Sequence, residues 1–272
     1  MRKKDKDMNK RINKLFDLTG KVAIVTGGAG WLGTAISQAL AEAGATVAII
    51  DCNAVALNKL VAGFNKDNLK AIGIVADCFE DKLLRDSFDK IVSDCGRLDI
   101  LVNCAYSGPV PEVDKAAFED YDKALHNGPA AYGIAAQQAA KCMRKSGGGV
   151  IINIGSIYAM VTGYPEVYEN ITSPNSIVYQ AGKAAIIQMT RHMAVYWAKD
   201  NIRVNCISPG TFPSDLTQKQ IPELVRRLES KVPMGRIGRP WELKGTVVFL
   251  ASDASSYVTG QNIVVDGGWT AW

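Results

Sequence analysis

The chain has 272 residues, 47% of them hydrophobic and 21% charged, with a formal net charge of +4. That is enough apolar material for one large or two small cores, and too ordinary a composition for a disordered chain. The basic excess sits in residues 1–14, which hold seven Lys or Arg against two Asp; the rest sets 24 basic against 25 acidic residues and leaves no basic face for nucleic acid.

Residues 1–14 are expected to be a solvated, disordered basic tail, or an electrostatic contact to a membrane or partner, ahead of one domain over 15–272. The tail has no apolar run of the kind a secretory signal carries. The charge-free segments 22–41 and 146–165 are broken by Gly, Asn, Gln and Pro, so neither is expected to span a membrane. Cys52, Cys78, Cys95, Cys104, Cys142 and Cys206 are scattered, with no CxxC and no zinc-like pairing with His126 or His192. Four fall in or beside apparent strands and are read as small buried thiols, in a reducing, cytoplasmic protein with no metal site expected.

The first apolar run, 21–26, leads into TGGAGWLG at 26–33 and a helical pattern at 33–43. Glycines at 27, 28, 30 and 33 would let the backbone turn tightly and approach a pyrophosphate at the helix N-terminus. Trp31 is the odd residue there, the largest side chain in a turn built for small ones. The second run, 45–50, ends in Asp51, 18 residues after Gly33, where a carboxylate would accept hydrogen bonds from an adenosine ribose. Its charge would repel a 2′-phosphate, and Cys52 offers no guanidinium to hold one, which favours NAD over NADP. Further apolar runs at 70–76, 98–103, 149–155, 202–207 and 262–265 alternate with helical periodicity at 81–95, 117–145, 179–199 and 240–251. Continuous Val/Ile runs are the mark of strands buried on both faces. The fold class is therefore α/β: a single doubly wound, Rossmann-type domain with a central parallel sheet of about seven strands and helices on both faces.

Within VYQAGKAAI, Tyr179 and Lys183 are four apart and share a helix face. A free phenol has a pKa of about 10. A nearby ammonium, with an oxidised nicotinamide, is expected to lower it into the range of a working base. Ser156, in NIGSIY at the end of the 149–155 run, would reach the same edge and hold a substrate oxygen.

With these residues in place, residues 18–272 resemble the short-chain dehydrogenase/reductase family. TGGAGWLG has the TGxxGxxG spacing of its extended members, which place an aromatic where Trp31 stands. The C-terminal run VPMGRIGRPWELKGTVVFLASDASSYVTGQNIVVDGGW looks like classical members, and 272 residues leave little room for an extended substrate region. The resemblance implies a catalytic tetrad of Asn127, Ser156, Tyr179 and Lys183, with Asn127 holding a water that links the lysine to solvent. It implies cofactor contacts from Gly27, Gly30, Trp31, Leu32, Asp51, Asp77, Cys78, Asn103, Ala105, Tyr179, Lys183, Pro209, Gly210, Phe212 and Ser214. His126 is read as packing.

Three departures mark this chain. The family's NNAG loop is Asn103-Cys104-Ala105-Tyr106, so a phenol replaces glycine near the nicotinamide end. Ser214 stands where threonine is usual. Ser156 and Tyr179 are 23 residues apart, farther than in classical members, which makes AMVTGYPEVYENITSPNS an inserted loop. On it Tyr164, Glu166, Tyr168 and Glu169 either meet a hydroxyl-rich ligand or form a solvated flap. The insertion, TGGAG, PGTFPS and the terminal DGGW resemble a subgroup around gluconate 5-dehydrogenase, mannonate oxidoreductases and flagellin-modification reductases. That implies a sugar acid, sugar or polyol as the small-molecule substrate. Residues 214–233 read as an amphipathic lid, whose Lys219, Arg226 or Arg227 either attract a carboxylate or face solvent. A homotetramer, or else a dimer, is expected by resemblance, with no nucleic-acid or membrane partner. Two other readings stay open: a sugar-nucleotide epimerase or dehydratase with tightly bound NAD, and a cofactor-sensing scaffold.

Overall fold

A computed structural model describes residues 11–171 and 176–271. Seven strands, β1 (Val22–Thr26), β2 (Thr46–Asp51), β3 (Ala71–Val75), β4 (Ile100–Asn103), β5 (Gly149–Ile154), β6 (Ile202–Pro209) and β7 (Asn262–Val265), form one sheet in the order β3-β2-β1-β4-β5-β6-β7. Every pairing is parallel. All seven apolar runs become strands. The helices are α1 (Ile12–Leu15), α2 (Trp31–Glu42), α3 (Ala54–Lys66), α4 (Asp81–Cys95), α5 (Phe118–Leu125), α6 (Ala131–Lys145), α7 (Pro165–Tyr168), α8 (Ile177–Trp197), α9 (Asp215–Gln220), α10 (Pro222–Lys231) and α11 (Lys244–Ala251).

Alternation along β1 divides the core. Val22 and Ile24 pack with Phe88 and Ile91 of α4, Ala135 and Ala139 of α6, and Met193 and Trp197 of α8. Ala23 and Val25 point the other way, to Ile36 and Leu40 of α2, Leu57 of α3, and Val247 and Leu250 of α11. Successive strand side chains face opposite sides, so a strand apolar throughout needs helices on both. The strand order turns back at β1–β4, and a sheet of this kind opens a crevice there, beyond the strand C-termini.

Three expectations are corrected. The basic tail was set at 1–14, yet Ile12–Leu15 already forms a helical turn, held by Lys14 Nζ donating to Asp17 Oδ2 at 3.0 Å beside the buried Leu18. Residues 1–10 lie outside the described residues. The helix expected over 117–145 is divided by a π turn, His126–Ala130. Pro129 lies in it; proline has no N–H to give a regular helix, and the wider turn accommodates it. The lid helix over 214–233 breaks at Ile221 into α9 and α10, with proline at the start of α10, where its missing N–H costs nothing.

Candidate active site

The crevice is a cleft of about 480 Å³. One half is made by the glycine turn. Gly27 has φ +62°, and a Cβ there would stand 2.7 Å from the Ala105 Cα, so the β4 loop can close on the turn only over glycine. A Cβ on Gly33 would collide with the Gly27 carbonyl. Helix α2 starts at Gly30 with no side-chain cap and no acid in its first turn, which leaves its N-terminal amides to meet an anion. Trp31 turns sideways and donates its indole N–H to the Phe212 carbonyl at 3.0 Å, strapping the turn to the segment after β6. The tryptophan therefore leaves the glycine path open. Asp51 accepts from the Ala29 N–H at 3.0 Å and the Asn53 N–H at 2.9 Å, so it braces the turn and keeps acceptor sites for a ligand. Asp77 accepts from the Phe79 N–H at 2.9 Å. These residues fit a dinucleotide: a cradle that side chains would fill, uncapped amides for the pyrophosphate and a carboxylate for the ribose.

The other half carries the reactive groups. Ser156 follows β5, its Oγ accepting from the Tyr158 N–H at 3.1 Å, and lines the cleft with Tyr179, in the first turn of α8, which Ser176 caps. Lys183, one turn on, is buried and donates Nζ to the Ile154 carbonyl at 2.8 Å. Burial lowers its pKa to about 8, against the smaller raising effects of Cys104 and Cys206. The expected lowering of the phenol relies on an oxidised nicotinamide as well as on the ammonium, and the protein's own groups act the other way. Burial raises the Tyr179 pKa, the nearby Ser156 lowers it by less, and Tyr168 adds to the rise. Removal from water penalises the phenolate more than these neighbours relieve it.

Most of the cofactor residues named from sequence line this cleft: Gly27, Gly30, Trp31, Leu32, Asp51, Asp77, Cys78, Ala105, Tyr179, Lys183, Pro209, Gly210 and Phe212. Three do not. Asn103 is buried beneath it, donating to the Asn153 side chain at 2.9 Å and the Tyr132 carbonyl at 3.3 Å, a tie between β4, β5 and α6. Ser214 caps α9, accepting from the Thr217 N–H at 3.2 Å. Asn127 is buried in the π turn, which packs against α8. His126 is a tie, its Nε2 against the Phe79 carbonyl at 2.9 Å. Phe79, Ser107 and Gly155 also line the cleft and carry no motif that would have marked them. Among the described residues no group of side chains is arranged to hold a metal, and no helix is long and apolar enough to cross a membrane.

The described part of the insertion is packed on α10, with Val167 and Tyr168 buried and Glu166 and Glu169 exposed. Val167 and Tyr168 of α7 pack with Leu224 and Leu228 of α10 and with Trp269. Arg227 donates to the carbonyls of Glu166 at 3.0 Å and Glu169 at 2.9 Å, and Lys231 pairs with Glu166 at 2.9 Å. Arg226 and Arg227 are also bonded to Glu223, which takes them from the role of carboxylate attractors. Residues 172–175 of the insertion lie outside the described residues.

Residues 28–270 match a family model described as enoyl-(acyl carrier protein) reductase. The chain is 36% identical to 2-dehydro-3-deoxy-D-gluconate 5-dehydrogenase of Escherichia coli, over 94% of this chain and 98% of that one. It is 32% identical to D-threitol dehydrogenase of Mycolicibacterium smegmatis, over 94% and 95%. A gluconate 5-dehydrogenase from Burkholderia cenocepacia, solved with NADP and tartrate, superposes with a TM-score of 0.86 at 31% identity, covering 96% of this chain and all of that one. The chain belongs to the short-chain dehydrogenase/reductase family, in its classical branch, and is an oxidoreductase acting on CH–OH groups.

Proposed function

We propose that this member of the family is an NAD-dependent dehydrogenase that interconverts a secondary alcohol and a ketone on a sugar acid, sugar or polyol, with Tyr179 as acid–base. The observation that carries this reading is that Ser156, Tyr179 and the buried Lys183 line the same cleft as the glycine turn. The glycine turn, the α2 amides, Asp51 and Asp77 would hold the dinucleotide, which when bound exchanges a hydride with the substrate carbon. Ser156 holds the substrate oxygen. Tyr179, protonated at rest because burial raises its pKa, gives its proton to the oxygen during reduction. In oxidation the phenol must first lose that proton, and Lys183, protonated below about pH 8, is the adjacent relay. Asn127, buried in the π turn against α8, would hold the water that completes the path to solvent.

Asp51 supports NAD, and the NADP complex of the Burkholderia protein makes the coenzyme a point to test. The epimerase reading is not favoured, since the relatives matched over their full length are named as dehydrogenases. Self-association through α6 and α8, giving a homotetramer, belongs to the same reading. Val195 and Tyr196 are 81% and 60% exposed beside an apolar groove that Met189 and Met193 line; light scattering tests it. The decisive experiment is a spectrophotometric screen of sugar acids, polyols and keto-sugars with NAD(H) and NADP(H) in parallel. Turnover of a hydroxy acid or polyol with NAD is expected; preference for the phosphorylated coenzyme would refute the reading of Asp51.

A further inference from the structure

Tyr106 occupies a place that no catalytic or coenzyme role accounts for. Its ring meets the Tyr179 ring edge-on, with centroids 5.0 Å apart and an interplanar angle of 88°. The Lys183 Nζ lies 4.9 Å from the centre of the same ring. The opposite edge of the ring rests on the π turn, where a Cβ on Gly128 would stand 3.3 Å from it. Its hydroxyl is buried and has no hydrogen-bond partner among the described residues. A buried unpaired hydroxyl is a cost that the fold does not recover, and Phe would avoid it. What the residue provides is a flat apolar face over an amine and a phenol at once.

We propose that Tyr106 is a positioning residue for the acid–base pair: its ring roofs Lys183 and abuts Tyr179, fixing where amine and phenol sit and how much water reaches them. The proposal rests on the acid–base reading of the pair. The groups facing the ammonium are few. Tyr179 comes from its own helix, Tyr132 from α6 at 5.6 Å, Cys104 from the β4 loop, Cys206 from β6 and the Ile154 carbonyl from β5. No carboxylate is among them, so hydration is what sets the amine's charge. The ring acts on it in two opposing ways. Its face attracts the cation, and its bulk keeps water away. Burial moves Lys183 from 10.5 to about 8, and a ring face offers a smaller, opposite effect. Exclusion of water therefore wins, and opening the roof should return both groups toward their ordinary values.

The test is competitive labelling of the full-length protein with acetic anhydride across pH, with the Lys183 peptide followed by mass spectrometry. Tyr106→Gly, which installs the residue usual in the family, should raise the Lys183 midpoint by at least about half a pH unit. Tyr106→Phe should restore the wild-type midpoint, because it keeps the ring. Tyr106→Leu, which keeps bulk without a ring face, should hold the midpoint at or below wild type and stands in if the glycine variant does not fold. An unmoved midpoint in the Gly variant, a midpoint in the Leu variant that rises above wild type, or a Phe variant that behaves like Gly, overturns the proposal. With an alcohol from the screen, the pH profile of kcat should shift in the same direction as the midpoint. Labelling needs no turnover. If no alcohol is oxidised, the dehydrogenase reading fails while the role of Tyr106 is still judged.

Discussion

The two halves of the cleft are built differently. The nucleotide half is backbone: a turn of glycines, the first amides of α2 and a carboxylate at the end of β2, within 25 residues of one another. The substrate half is side chains brought from far apart. Tyr106 follows β4, Ser156 follows β5, Tyr179 and Lys183 sit on α8, and the insertion is held by α10. A turn near one helix end can bind a coenzyme with little help from the rest of the molecule. Proton transfer needs groups held to fractions of an ångström, which only packing between several elements supplies. Changes in the first half should therefore alter coenzyme affinity, and changes in the second should alter turnover.

Tyr179→Phe should cut kcat by about three orders of magnitude in steady-state assays, while coenzyme titration by fluorescence stays near wild type. Equal loss in both measurements would erase the distinction between the halves. Asp51→Ala should raise the dissociation constant for NAD by about tenfold to a hundredfold and favour NADP, with kcat at saturation little changed. Trp31→Phe removes the indole donor to Phe212 and keeps the bulk. One neutral hydrogen bond is worth about 1 kcal/mol, so coenzyme dissociation in stopped flow should speed up by about fivefold. Lys231→Met unties Glu166 from α10 and should raise KM for the alcohol by about threefold or less, since a half-exposed ion pair contributes little.

The smallest effect concerns stability. Burial depresses the Lys183 pKa in the folded state, so between about pH 8 and 10.5 the unfolded chain holds a proton that the folded one has lost. Stability from this group therefore rises with pH across that window, and below pH 8 the cost of burying the charge is present in full. Lys183→Met should raise the melting temperature, relative to wild type, more at pH 6 than at pH 10. The opposite order would mean that the ammonium is stabilised by contacts stronger than its single carbonyl.

Much of the architecture was legible before any coordinates. The inner strands β1, β2, β4 and β5 are short apolar runs, because a strand covered on both faces has no polar side to interrupt it. Tyr179 and Lys183 were legible because helix periodicity places residues four apart on one face. The fate of Asn103 was not, since its motif position gives no sign that its Nδ2 would donate to Asn153 and the Tyr132 carbonyl. Nor was the insertion. Its tyrosines and glutamates suit a ligand as well as a helix, and only the position of Arg227 and Lys231 on α10 decides between them.

The sequence alone determined the fold class, the glycine cradle, the carboxylate after β2 and the spacing of the acid–base pair, because each is a local pattern of size, charge or period. The tertiary structure alone decided the ionisation of that pair and the course of Trp31. It placed Tyr106 above the amine and docked the insertion on α10. Those depend on which distant side chains exclude water from a group, and sequence distance carries no measure of solvent.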